Sequence, residues 1–116
     1  MMKKTLTAGF FLWCCVAQAQ GIWIEGRLDC GMWLDARSEK IAMTYEHFLV
    51  GMTNGLAIGR EVDVWRRKGM PISQEQFFFW MDGYCKNKPL NSALEGVLDF
   101  ANETTEGVFN RKVSGK

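Results

Sequence analysis

Four cysteines, one histidine and a few carboxylates are the residues of this chain that could do chemistry, and their spacing limits what they could do. A thiol–disulfide centre wants two nearby cysteines, as in Cys-x-x-Cys, and Cys14, Cys15, Cys30 and Cys85 offer no such spacing. His47 is the sole histidine; Glu46 beside it would point elsewhere on a helix, because neighbours in sequence do not share a face. Zinc sites draw on several histidines and cysteines, and here Cys30 and Cys85 are expected to be committed to each other. Glu61 with Asp63, and Asp82 beside an aromatic run, are carboxylates with no mark of an acid–base pair and read as a solvated face. The glycines of Gly51–Gly59 lack the lysine and the preceding strand of a phosphate loop. No catalytic, cofactor-binding or metal residue is assigned, and an enzyme is not expected.

The cysteines acquire a different meaning from the start of the chain. Lys3-Lys4 form a basic n-region, Thr5–Val16 an apolar h-region, and Ala17-Gln18-Ala19 the small-x-small pattern read by signal peptidase. Residues 1–19 are expected to be removed near Ala19, placing the protein in the periplasm or outside the cell. The apolar stretch is too short to span a bilayer. Leu12-Trp13 ahead of Cys14 lacks the small residues of a lipoprotein site. Cys14 and Cys15 leave with the signal, so Cys30 and Cys85 meet an oxidising compartment as the only thiols and are expected to pair. Their bridge closes a loop of 55 residues, stabilising the fold by roughly 4 kcal/mol in the chain-entropy model.

Removing 19 of the 116 residues leaves 97, enough for one domain with a modest core. Loss of Lys3 and Lys4 leaves 12 of the 14 basic residues against 13 acidic ones, a net charge of about −1. That balance argues against nucleic acid as a partner, with Arg66-Arg67-Lys68 a single solvated cluster. Asn102-Glu103-Thr104 matches a glycosylation sequon but carries no weight behind a signal of bacterial type.

The elements that must position these residues read as helices. Leu28–Ala36 carries Cys30, Trp33 and Leu34 at helical spacing. Ser38 is expected to cap a second helix whose stripe is Ile41, Tyr45, Phe48, Met52 and Leu56. Gly51, Gly55 and Gly59 lie on it at intervals of four, each costing about 1 kcal/mol relative to alanine. They are read foremost as a smooth ridge against another helix, with a partner groove or a break in the helix as alternatives. Lys68-Gly69 and Pro71 end the pattern. Ser73 and Gln76 predict a capping box, with Ile72 and Phe77 as a hydrophobic staple. Phe77, Trp80, Met81 and Tyr84 make an apolar stripe that Phe78 and Phe79 broaden, and Asn87-Lys88-Pro89 closes the helix. Three consecutive phenylalanines cannot face one way, so at least one reaches the far side of the stripe. Ser92 and Glu95 predict another box, followed by Leu94, Val97, Leu98 and Ala101. No β-strand pattern is evident. The expected fold is all-α: one small domain over residues 20–105, a bundle of three to four helices stapled by one disulfide, with residues 106–116 a polar, frayed tail.

The run Tyr84-Cys-Lys-x-x-Pro89, ending a helix, resembles the second half of the HdeA/HdeB family of periplasmic acid-stress chaperones. The resemblance implies a small exported all-α protein with a single disulfide from an early cysteine to this late one, and Cys30 and Cys85 stand where that arrangement places them. Phe48-Leu-Val-Gly-Met-Thr-Asn-Gly with Pro71-Ile-Ser-Gln-Glu-Gln also resembles the Rap/Tai-type immunity proteins that neutralise type VI secretion toxins. The first likeness implies a chaperone whose carboxylates, such as Glu46, Asp82 and Glu95, take up protons in acid and release apolar surface around Phe77–Phe79 and Trp80. The second implies a dedicated inhibitor of one partner at neutral pH. In both, the partner is a protein, and the candidate contact residues are Gly51, Gly55 and Gly59 with Phe77, Phe78, Phe79 and Trp80.

Overall fold

The computed structural model of the chain describes residues 26–109; the expected signal, Cys14, Cys15 and residues 20–25 and 110–116 lie outside them. The described residues form four helices and one minimal hairpin: α1 (Cys30–Ser38), α2 (Met43–Arg60), β1 (Arg66–Arg67), β2 (Met70–Pro71), α3 (Gln74–Asn87) and α4 (Ala93–Thr104). The protein is an all-α bundle, with α1 packed on α3, α3 on α4, and α2 on α4.

Both capping boxes form. Gln76 N donates to Ser73 Oγ at 3.1 Å while Ser73 N donates to the Gln76 side chain, and Ser92 and Glu95 repeat the arrangement at α4. Helix α3 stops at Asn87, just ahead of Pro89, as the proline demands. The start of α4 is tied to the start of α1: Ala93 N donates to Leu28 O at 2.7 Å and Cys30 N to Asn91 O at 3.1 Å. That pairing sets Cys30 against α3, where it bonds Cys85 with a Cα separation of 4.9 Å, inside the range disulfides require.

Three expectations change in the first half of the chain. Ser38 is the last residue of α1 rather than the cap of α2, and its hydroxyl donates to Asp35 O. Helix α1 ends in a Schellman motif, in which Lys40 N donates to Arg37 O and Ile41 N to Ala36 O with Lys40 left-handed at φ 58. Ile41 is therefore off the helix and exposed, and the inward stripe of α2 is Tyr45, Leu49, Met52, Thr53 and Leu56, with Leu49 and Thr53 fully buried. Phe48 stands at its edge, 40% exposed. Helix α2 closes at Arg60 in a second Schellman motif on Glu61 (φ 53), and Val62 N donates to Ala57 O. The chain then makes a β-hairpin where none was expected. Lys68 and Gly69, both at positive φ, are the two central residues of its type I′ turn.

The core joins Trp33, Leu49, Phe77, Phe78, Met81, Val97 and Phe100 around the disulfide. Phe77 and Phe100 have centroids 4.6 Å apart, and Trp65 meets Phe77 edge-on at 5.3 Å. In α4 the buried face is Ala93, Gly96, Val97, Phe100 and Ala101, with Leu94 and Leu98 displaced to its edges. Gly96 marks the closest helix approach. A Cβ there would lie 2.7 Å from Met81 Sδ and 2.8 Å from the Tyr84 ring.

Candidate functional site

The aromatic run of α3 divides as helical geometry requires. Phe77 and Phe78 are buried, Trp80 is half-buried, and Phe79 points away from the core, 78% exposed. No second helix of the described residues covers it. Clefts of about 310 Å³ and 510 Å³ flank Gln76 and Trp80, one bounded by Met70 and Phe100, the other by Phe79 and Tyr84. Met70 (69% exposed) and Phe79 thus stand on either side of Trp80, with Gln76 common to both clefts.

Two tryptophans are fixed by carboxylates that also hold an arginine. Trp33 Nε1 donates to Asp82 Oδ1 at 2.9 Å, and Arg37 grips the same carboxylate through Nε at 3.0 Å and Nη2 at 2.9 Å. Arg37 Nη1 reaches Glu46 on α2 at 2.9 Å. One guanidinium therefore ties α1 to both α3 and α2, lying 5.6 Å over the Trp33 ring and 5.8 Å over Phe78. The hydrogen bond to Asp82, ahead of that to Glu46, raises the Arg37 pKa above the ordinary guanidinium value, outweighing partial burial. The second set lies on the other side of α3. Trp80 Nε1 donates to Glu103 Oε2 at 3.0 Å, while Arg67 of the hairpin meets Glu103 Oε1 at 3.2 Å. Glu46 and Asp82 are among the expected acid-sensitive carboxylates, and the fold brings them together on one cation. Glu95 is elsewhere, accepting from Ser92 in its capping box.

Arg37, Arg67 and Glu103 escaped the sequence reading. Arg37 follows Trp33 by four positions and so shares its face of α1, a signal that was there to be found. The Arg67–Glu103 contact spans the hairpin and α4, and nothing local announces it.

The glycine ridge corrects the foremost expectation. A Cβ at Gly51, Gly55 or Gly59 would meet nothing within 4 Å, so the three line an exposed face of an unbroken helix rather than a contact with a neighbouring helix. His47 is exposed, and Asp63 accepts from Trp65 N and pairs with Arg66. Among the described residues no group of three or more His, Cys, Asp or Glu could hold a metal, and no helix is long and apolar enough to cross a membrane. Compared with protein-family models, curated proteins and solved structures, the chain matches none.

Proposed function

We propose that this chain is an exported, non-enzymatic protein-binding module that acid opens. The observation that carries the reading is the Arg37 cluster, where one cation joined to Asp82 and Glu46 holds three helices over the rings of Trp33 and Phe78. Acid strong enough to protonate carboxylates removes both counter-charges and leaves the guanidinium against aromatic surface. The same acid releases Trp80 and Arg67 from Glu103. Net positive charge rises as the clasps fail, and self-repulsion favours a loosened state that exposes apolar surface. The Cys30–Cys85 bond keeps α1 on α3, so the element freed is α2. Resemblance to HdeA/HdeB acid chaperones points the same way, with unfolding envelope proteins as clients.

The test is an aggregation assay with the oxidised chain and an acid-labile client. Suppressed light scattering between about pH 2 and 5, absent at pH 7, is expected; no protection at any acid pH would sink the reading. A second reading, a dedicated inhibitor of the Rap/Tai kind, rests on Phe79 and Met70, whose apolar side chains are already exposed in the folded molecule. Such an interface buries roughly 1,600 Å² in total. Pull-down of one stoichiometric partner at pH 7 favours it, whereas many partners captured only near pH 4 favour the chaperone.

A further inference from the structure

Every residue of the β1–β2 hairpin, from Arg66 to Pro71, is exposed, yet the hairpin is firmly mounted. Val64 just before it is fully buried, the Trp65 ring packs on Phe77 and Phe100, and Ile72 N donates to Trp65 O at 2.8 Å. Arg66, Arg67 and Lys68 are consecutive cations, and Met70 beyond the turn is 69% exposed. We propose that this hairpin docks end-on against the surface of a bilayer rich in anionic phospholipid, as a peripheral contact that spans nothing. This goes beyond the acid-response reading and does not depend on it.

Charge and register select that partner. Arg67 pairs across the hairpin with Met70 and Arg66 with Pro71, while Lys68 and Gly69 form the turn. At about 3.4 Å per strand residue, all three cations lie within roughly 7 Å of the tip. A headgroup layer is about that deep, so one end-on approach brings every cation level with lipid phosphates. Met70, level with Arg67, then meets the boundary between headgroups and acyl chains. Lys68 has no ion-pair partner among the described residues. Arg66 meets Asp63 at 3.1 Å and Arg67 meets Glu103 at 3.2 Å, but the two arginine side chains are 63% and 58% exposed. Ion pairs so open to water contribute little and are screened by salt, and lipid phosphates can replace them. Each cation brought to an anionic surface strengthens partitioning by about five-fold. A nucleic acid would use the same cations and leave Met70 in water, so the methionine decides for the bilayer.

The test is co-sedimentation of the oxidised chain, isolated after export, with lipid vesicles at pH 7 and low salt. Vesicles containing phosphatidylglycerol should bind about ten-fold more protein than vesicles of phosphatidylcholine alone. The triple variant Arg66→Ser, Arg67→Ser, Lys68→Asn should lose about ten-fold of that binding. A set with the same change in net charge, Arg27→Ser, Lys40→Asn, Lys86→Ser, removes exposed cations elsewhere and should stay within about two-fold of wild type. Met70→Ser should lose about three-fold and Met70→Leu should not. Should the triple variant fail to fold, Lys68→Asn alone serves, since asparagine suits the left-handed turn; about five-fold should be lost. Equal binding to both kinds of vesicle overturns the proposal, as does an equal loss in the two triple variants or no loss in Lys68→Asn. Binding unchanged in Met70→Ser overturns it too, leaving the hairpin a bare anion contact of the kind a nucleic acid would make.

Discussion

Helices α2 and α3 are built on opposite plans. Helix α3, 14 residues long, buries Phe77, Phe78, Met81 and Cys85, all but Phe78 completely, starts from a full capping box and carries the disulfide and Asp82. Helix α2 is longer, 18 residues, yet fully buries only Leu49 and Thr53. It turns three glycines to open space, ends on a strained left-handed glutamate and reaches α1 through the Arg37–Glu46 pair. Helix length is thus a poor guide to which element holds the fold. Stability follows buried area and cross-links, and by both measures α2 is the element poised to leave first.

Several substitutions break or sharpen that contrast. The largest effect is expected at the staple. Replacing both Cys30 and Cys85 by serine should cost about 4 kcal/mol, read as a fall in the urea midpoint, because the unfolded chain regains the freedom of a 55-residue loop. Next, Phe77→Ala should cost about 3–5 kcal/mol through lost transfer energy and a cavity, whereas Phe79→Ala, two positions on, should stay within about 0.5 kcal/mol. Equal costs would mean that Phe79 is covered. On α2 the sign should reverse: changing Gly51, Gly55 and Gly59 together to alanine should stabilise by about 2–3 kcal/mol, since each new methyl meets open space. Gly96→Ala, against Met81 and Tyr84, should instead cost about 1–3 kcal/mol.

Arg37→Met should cost about 1–2 kcal/mol at neutral pH, as charge-assisted hydrogen bonds are lost to Asp82 and Glu46. Its pH dependence has a definite sign. The Arg37 pKa is raised on folding, so what its proton contributes is complete below the ordinary guanidinium value and lost only as the pH climbs past the raised one. Urea midpoints of wild type and variant should therefore differ by a constant amount from about pH 7 to 11. The difference should shrink in acid that protonates carboxylates. A gap that narrows on the alkaline side of neutrality would place the relevant cation elsewhere.

The second half of the chain was more legible than the first, and local chemistry explains why. Ser73 and Ser92 each stand three residues before a residue able to complete a capping box, and Pro89 forbids continuation, so α3 and the start of α4 could be read directly. The same was true of the disulfide, which pairs the two cysteines lying outside the expected signal. The boundary between α1 and α2 was hidden because its left-handed residue is Lys40, not glycine, and the end of α2 because Glu61 takes that role while Gly59 does not. Glu61→Gly should accordingly stabilise by about 1 kcal/mol, read as a rise in the urea midpoint. The α2 stripe was displaced by the same misplaced start. The Arg37 and Glu103 clusters join residues 45 and 36 positions apart, on elements whose packing no local pattern encodes.

The most direct test of α2 as the acid-released element is amide hydrogen exchange, resolved by residue and corrected for intrinsic rates, on the oxidised chain at pH 7 and pH 3. Expected is loss of protection across α2 at pH 3 while α3 amides around Met81–Cys85 stay protected. Loss of protection in α2 and α3 together, or in neither, would contradict it.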